Sequence, residues 1–123
     1  MLEHIGITIN EYNDIQAFYK DLLGLKEVKT FDLYEDMSQK IFGIRTPVQV
    51  MHFSCEDLHL ELFLTDKKQK SIYNHICISL QNRDDIIQKA KSMGFPVIEI
   101  KRESGNYLLF IKDNSGNMFE IKG

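Results

Sequence analysis

The chain has few cysteines, no excess of basic charge and no long hydrophobic run. Cys55 and Cys77 form no C-x-x-C pair and each lies in an apolar stretch, which predicts buried, reduced thiols rather than a disulfide framework. The net charge of −3, with both signs interspersed, excludes the basic surface of a nucleic-acid-binding protein. No stretch has the pattern of a signal peptide or the length of a membrane span. We therefore expect a cytoplasmic protein that binds neither nucleic acid nor membranes.

The composition is that of a globular protein, with 43% hydrophobic and 27% charged residues. A length of 123 residues predicts a single domain over residues 1–123. Two similar strand patterns divide this domain into repeats of about residues 1–70 and 71–123. "EHIGITI" contains His4 and "NHICISL" contains His75, and in both the histidine precedes isoleucine, a small residue, isoleucine and a hydroxyl residue.

The same order of elements follows each of these strands. Apolar residues at helical spacing occur in "NDIQAFYKDLLG" and "RDDIIQKAKSMG", and both patterns end at a glycine. Three strand patterns come next in each half: "KEVKTFDLY", "PVQVMHFSC" and "DLHLELFLT", then "VIEIKRE", "NYLLFIKD" and "MFEIKG". The sequence thus predicts an α+β fold of two tandem βαβββ repeats. Only "EDMSQKIFGIR" is ambiguous, between a helical turn and a loop.

Strand alternation places one histidine and one glutamate of each half on the same polar side of the sheet. If the isoleucines and leucines face the helices, His4, Glu61, His75 and Glu120 face the opposite way. A single strand histidine is usually solvent-facing or hydrogen-bonded, and glutamate is depleted in strands. Neither tendency explains why each half has a histidine in its first strand pattern and a glutamate in its last. Because two imidazoles and two carboxylates suit a borderline ion, we predict that these four residues bind Zn²⁺, Ni²⁺, Co²⁺ or Fe²⁺.

The two units, with "HIGITI", "HICISL" and the closing "IKDNSGNMFEI", resemble the vicinal oxygen chelate (glyoxalase/bleomycin resistance/dioxygenase) superfamily over essentially the whole chain. The resemblance implies a curved, half-barrel mixed sheet with helices on its outer face and a metal on its concave face. The His/Glu/His/Glu set is similar to that of glyoxalase I (lactoylglutathione lyase). Two positions that hold glutathione in glyoxalase I differ here, since Thr8 replaces an arginine and Thr65 an asparagine.

The resemblance to glyoxalase I implies a metal-dependent lyase or isomerase acting on a small substrate with two neighbouring oxygens, such as a 2-oxoaldehyde–thiol adduct. A base removes the α-proton while the metal stabilises the resulting enediolate. Glu120, or else Glu61, would be the base, and a metal-bound water is a further candidate. Two other functions stay open: a methylmalonyl-CoA epimerase-like isomerase and a non-catalytic, bleomycin-resistance-type binding protein. An oxygen-using member of the superfamily would lack the second carboxylate ligand.

Four further residues are weaker candidates for substrate contact. Strand alternation allows His52 and His59 to face the same cavity, Arg45 offers a cation for an anionic substrate, and Tyr107 lies at a strand end. Each of these residue types lies more often at the surface without a function than in contact with a substrate. By analogy with the superfamily we expect the protein to form a homodimer. We expect its other binding partner to be a small-molecule substrate.

Overall fold

The computed structural model describes residues 1–123, which form two compact units, Met1–Gln69 and Lys70–Gly123. Each unit contains one four-stranded mixed sheet, and together they confirm the α+β fold of two βαβββ repeats. The elements in chain order are β1 (Ile5–Ile9), α1 (Ile15–Leu22), β2 (Lys26–Leu33), α2 (Glu35–Phe42), β3 (Val48–Cys55), β4 (Leu58–Leu64), β5 (His75–Ser79), α3 (Arg83–Ser92), β6 (Val97–Lys101), β7 (Tyr107–Lys112) and β8 (Met118–Lys122). None of the helices is long and apolar enough to cross a membrane.

Both sheets have the same topology. The strand order is β1-β4-β3-β2 in the first unit and β5-β8-β7-β6 in the second. The first strand of each repeat pairs in parallel with its last strand, while the other neighbours are antiparallel. In the first unit this pairing sets Gly6 beside Glu61, and in the second it sets Cys77 beside Glu120. Residues far apart in sequence are thereby neighbours on one face.

One helix covers the apolar face of each sheet, as the sequence predicts. Helix α1 buries Ile15, Phe18, Tyr19 and Leu22, and its closing turn has π-type bonds, with the Leu23 N–H donating to the Phe18 carbonyl over 2.9 Å. On the sheet side the fully buried partners include Phe53, Leu60 and Leu62 in the first unit. Helix α3 likewise buries Ile86, Ile87 and Ala90. Glycines at positive φ follow both helices, Gly24 at 74° and Gly94 at 81°.

Three local features differ from the sequence-based expectations or complete them. Strand β1 begins at Ile5, so His4 precedes the strand, and the ambiguous stretch forms helix α2, which ends at Gly43 with φ of 72°. The prediction of buried thiols is wrong for Cys77, which is exposed, and Cys55 is only half-buried. The reason is strand alternation: Cys77 lies between Ile76 and Ile78 and faces away from α3.

Truncating the core of the first unit should destabilise the protein. Leu62 is fully buried, so Leu62→Ala removes apolar contacts and leaves a cavity, and we expect the free energy of unfolding to fall by about 2–5 kcal/mol. Val28 is 55% exposed, and Val28→Ala is the matched control with an expected change within about 0.5 kcal/mol. Urea denaturation followed by circular dichroism measures both, and equal effects would contradict this assignment of the core.

Candidate metal and substrate site

In the first unit, His4 and Glu61 lie in direct contact on the polar face of the sheet. The distance from His4 Nε2 to Glu61 Oε1 is 2.9 Å, and the side chains are 48% and 15% exposed. The residue that pairs with Glu61 on β1 is Gly6, which has no side chain. Because Gly6 carries no side chain that would stand between them, the His4 imidazole can extend diagonally along the sheet to the carboxylate.

The second unit repeats this arrangement with His75 and Glu120. His75 Nε2 lies 3.6 Å from Glu120 Oε2, and Cys77 is the small residue beside the glutamate. The other ring nitrogen, His75 Nδ1, is 2.9 Å from the carbonyl oxygen of Tyr73. A carbonyl can only accept, so Nδ1 carries the proton and donates it. With Nδ1 as the donor to this carbonyl, Nε2 is the ring nitrogen on the side of Glu120 and the one that could bind a metal ion.

The separations within both pairs fit neighbouring ligands of one metal ion. Ligand atoms about 2.0–2.2 Å from an ion, at angles of about 90–109°, are roughly 2.8–3.6 Å apart. The two measured distances, 2.9 and 3.6 Å, fall within that range. No group of three or more His, Cys, Asp or Glu side chains is clustered tightly enough to hold an ion by itself. The structure thus brings the four predicted ligands together two by two, one pair in each unit.

A cavity of about 560 Å³ opens beside the first pair, formed wholly by residues of the first unit. Its lining includes His4 and Glu61, and Thr8 and Thr65, the two positions at which the sequence departs from glyoxalase I. Helix α2 and the segment after it form one wall, and the segment after β4 forms another. This volume is in the range of pockets for small molecules. The cavity therefore joins a potential metal-binding pair to a space for an organic ligand.

Two phenylalanines form the apolar part of the cavity wall. Phe42 of α2 and Phe63 of β4 are in edge-to-face contact, with ring centroids 5.4 Å apart. Phe63 lies over Gly6, because a Cβ built at Gly6 would be 3.2 Å from Phe63 Cε2. Gly6 therefore leaves room both for the His4 side chain and for this ring.

His52 and His59 lie on the same face and form a pair of their own. The strand register sets His52 directly opposite Glu61, and His52 Nε2 is 3.1 Å from His59 Nδ1. One of the two nitrogens must donate and the other accept. Neither histidine lines the cavity, so the structure places both beside Glu61 and outside the cavity.

The other two weak candidates lie elsewhere. Arg45 is exposed and does not line the cavity, although Ile44 and Thr46 on either side of it do. Tyr107 begins β7 and has the same strand phase as the buried Leu109 and Ile111, so it is on the opposite face from Phe110, the partner of Glu120.

Sequence reasoning missed two cations that do line the cavity. Lys67 and Lys68 follow β4 within the run "DKKQK", which has the usual appearance of a solvated loop. The available signal was their position, immediately after a strand that carries a candidate ligand. That signal is weak, because a sequence does not reveal towards which side a loop turns.

The family described as the Glyoxalase/Bleomycin resistance protein/Dioxygenase superfamily matches residues 1–121. No curated protein is similar enough in sequence to count as a match.

Several solved structures share the fold. Fosfomycin resistance protein FosX from Listeria monocytogenes is 20% identical, with 98% of this chain and 90% of that chain covered and a TM-score of 0.74. A FosX variant complexed with Mn(II) and 1S,2S-dihydroxypropylphosphonic acid is 21% identical, with coverage of 100% and 91% and a TM-score of 0.75. A glyoxalase family protein from Enterococcus faecalis is 15% identical, with coverage of 100% and 97% and a TM-score of 0.73. At these identities the similarity concerns the fold.

Proposed function

Since the chain belongs to the Glyoxalase/Bleomycin resistance protein/Dioxygenase superfamily, we propose that it is a metal-dependent lyase or isomerase of the glyoxalase I type. The observation that carries this proposal is the His/Glu pair in each repeat, with 2.9 Å and 3.6 Å between the facing atoms. One pair alone is a common ion pair on a sheet. Two pairs at equivalent positions of two repeats are what a four-ligand metal site requires.

The proposed ligands are His4, Glu61, His75 and Glu120. Two imidazoles and two carboxylates suit Ni²⁺, Zn²⁺, Co²⁺ or Fe²⁺, and the FosX relative has been crystallised with Mn(II). When bound, the ion supplies positive charge beside the substrate oxygens on which negative charge develops. Both pairs must reach the same ion, from the two repeats of one chain or from two chains of the proposed homodimer. We propose this homodimer as a cytoplasmic enzyme.

Glu120 is the proposed base that removes the α-proton of the substrate, with Glu61 as the alternative. Both carboxylates are 15% exposed, so each is sheltered and still within reach of a small molecule. Glu120 is 3.6 Å from its histidine, whereas Glu61 is held at 2.9 Å. The looser contact favours Glu120, because a base must leave its resting partner to reach the substrate carbon.

The substrate class is a small 1,2-dioxygen compound, for which a 2-oxoaldehyde–thiol adduct is the first candidate. Thr8 and Thr65 in the cavity wall differ from the residues that hold glutathione in glyoxalase I, so another thiol carrier is compatible with the site. A methylmalonyl-CoA epimerase-like reaction uses the same proton abstraction and is the second candidate. A bleomycin-resistance-type binding protein would not need two His/Glu pairs, and this observation favours an enzyme.

Removing one histidine of either pair should remove the metal. We expect His4→Ala and His75→Ala each to reduce the metal content of the purified protein at least tenfold, because losing a ligand weakens a four-ligand site. Elemental analysis by mass spectrometry of protein purified without added metal measures this. His59→Ala is the matched control and should keep its metal. Full metal content in His75→Ala would refute the proposed site.

A neutral amide in place of Glu120 should stop the reaction. We expect Glu120→Gln to lower kcat about 10²–10⁴-fold, because the amide cannot accept the proton. Turnover of the methylglyoxal–glutathione hemithioacetal and of a methylmalonyl-CoA epimer is measured in parallel, and one of the two should react with the parent protein. Glu103→Gln, in an exposed loop of the same unit, is the control. A parent protein that is loaded with metal and inactive on both would contradict this substrate class.

Mixing two inactive variants tests how the homodimer builds its sites. If each site combines the first repeat of one chain with the second repeat of the other, a heterodimer of His4→Ala and His75→Ala has one intact site and one that lacks both histidines. Unfolding and refolding the mixture should then restore about a quarter of the parent activity, since half the dimers are mixed. Sites built within single chains would give no recovery, and either result locates the proposed site.

A further inference from the structure

We propose that the cavity of the first unit binds an organic anion with an apolar body, and that Lys67 and Lys68 hold its oxyanion group. The inference rests on the proposed function, because it names the chemical class of substrate for the same site. It adds two specificity-determining residues that lie outside the metal ligands and outside the proposed base.

The cavity has two chemically different parts. Phe42 and Phe63, in edge-to-face contact, provide an aromatic surface, extended by Pro47 and Val48, against which an apolar group can pack. The polar part includes Lys67 and Lys68, in the segment after β4, and Thr46. A ligand that satisfies both parts has a hydrocarbon or aromatic body and a charged end.

The charge in the cavity favours an anion. Lys67 and Lys68 are exposed, and neither takes part in any of the five ion pairs of the protein. The one carboxylate in the lining, Glu61, already faces His4 at 2.9 Å, and Asp66 does not line the cavity. The whole chain has a net charge of −3, so this concentration of positive charge runs against the average of the protein. Two ammonium groups without carboxylate partners suit a carboxylate, phosphate or phosphonate.

The segment that carries the lysines is held in place by hydrogen bonds. The Asn10 side-chain amide donates to the carbonyls of Thr65 and Lys67 over 2.9 and 3.0 Å. The Lys67 N–H donates to the Thr65 hydroxyl over 3.2 Å, and the Thr65 N–H donates to the Ile9 carbonyl over 3.0 Å. The backbone that carries the two ammonium groups is therefore positioned before a ligand arrives, which lowers the entropy that binding must overcome.

Lys67 and Lys68 also give the cavity positive charge, although the arginine of glyoxalase I is absent. Thr8 occupies that position here and carries no charge. In this chain the cations that line the cavity belong to the segment after β4.

Binding of benzylphosphonate, measured by calorimetry on the full chain, tests the inference. Phenylacetate is the second anionic probe and benzyl alcohol the neutral one. We expect the double variant Lys67→Ala/Lys68→Ala to weaken benzylphosphonate binding on the order of tenfold, as expected for two partly exposed charge pairs, and to leave benzyl alcohol unchanged. Lys70→Ala removes a neighbouring lysine that does not line the cavity and should have no effect. Circular dichroism checks that each variant is folded.

Three results would overturn the inference: equal affinity of the double variant and the parent, an equal loss in Lys70→Ala, or no binding of either anionic probe by the parent. The measurement is made on His75→Ala as well as on the parent. That variant lacks a proposed metal ligand of the other unit but retains the whole cavity. Lysine-dependent binding retained in His75→Ala would support the anion site independently of the metal. The same binding by a parent protein that holds no metal and turns over neither substrate would refute the proposed function and support the anion site. Turnover that the Lys67→Ala/Lys68→Ala variant leaves unchanged would support the proposed function and refute the anion site.

Discussion

The parallel pairing of the first and last strands within each repeat is the constraint on which the site depends. In the first unit β1 pairs with β4, and in the second β5 pairs with β8. Each pairing brings a histidine and a glutamate that are more than forty residues apart into contact distance. A slip of one residue in register would turn the glutamate into the apolar core. The packing of α1 and α3 against the other face opposes such a slip, since it would expose Leu60, Leu62, Phe119 or Ile121.

The two repeats are equivalent at the histidine and glutamate and differ around them. Beside Glu61 lie Gly6 and His52, and beside Glu120 lie Cys77 and Phe110. A small residue next to the glutamate is therefore common to both repeats, and it leaves room for the histidine. The residue on the other side differs between the repeats, and in the second repeat it is Phe110, whose ring centroid lies 6.1 Å from that of His75.

The cavity of the first unit is bounded by an element that the second repeat lacks. Helix α2 lies between β2 and β3, and with the segment after it provides Ser38, Phe42 and Ile44 to the wall. In the second repeat the corresponding strands, β6 and β7, are joined by a short turn around Gly105, whose φ is 89°. Only the first repeat thus has a helix between its second and third strands, and residues of that helix cover the cavity. In the proposed enzyme the first repeat would recognise the substrate, while both repeats would share the metal.

The sequence by itself determined the order of the elements and the face on which each strand residue lies. Both follow from local periodicity, since alternation in a strand and helical spacing in α1 and α3 require no knowledge of distant residues. On that basis His4, Glu61, His75 and Glu120 could be named as a candidate set. Only the tertiary structure decided that His52 and His59 pair beside Glu61, that Arg45 stays outside the cavity, and that Lys67 and Lys68 line it. These outcomes depend on strand pairing and on loop direction, which arise from contacts between residues far apart in the chain and leave no periodic trace in the sequence.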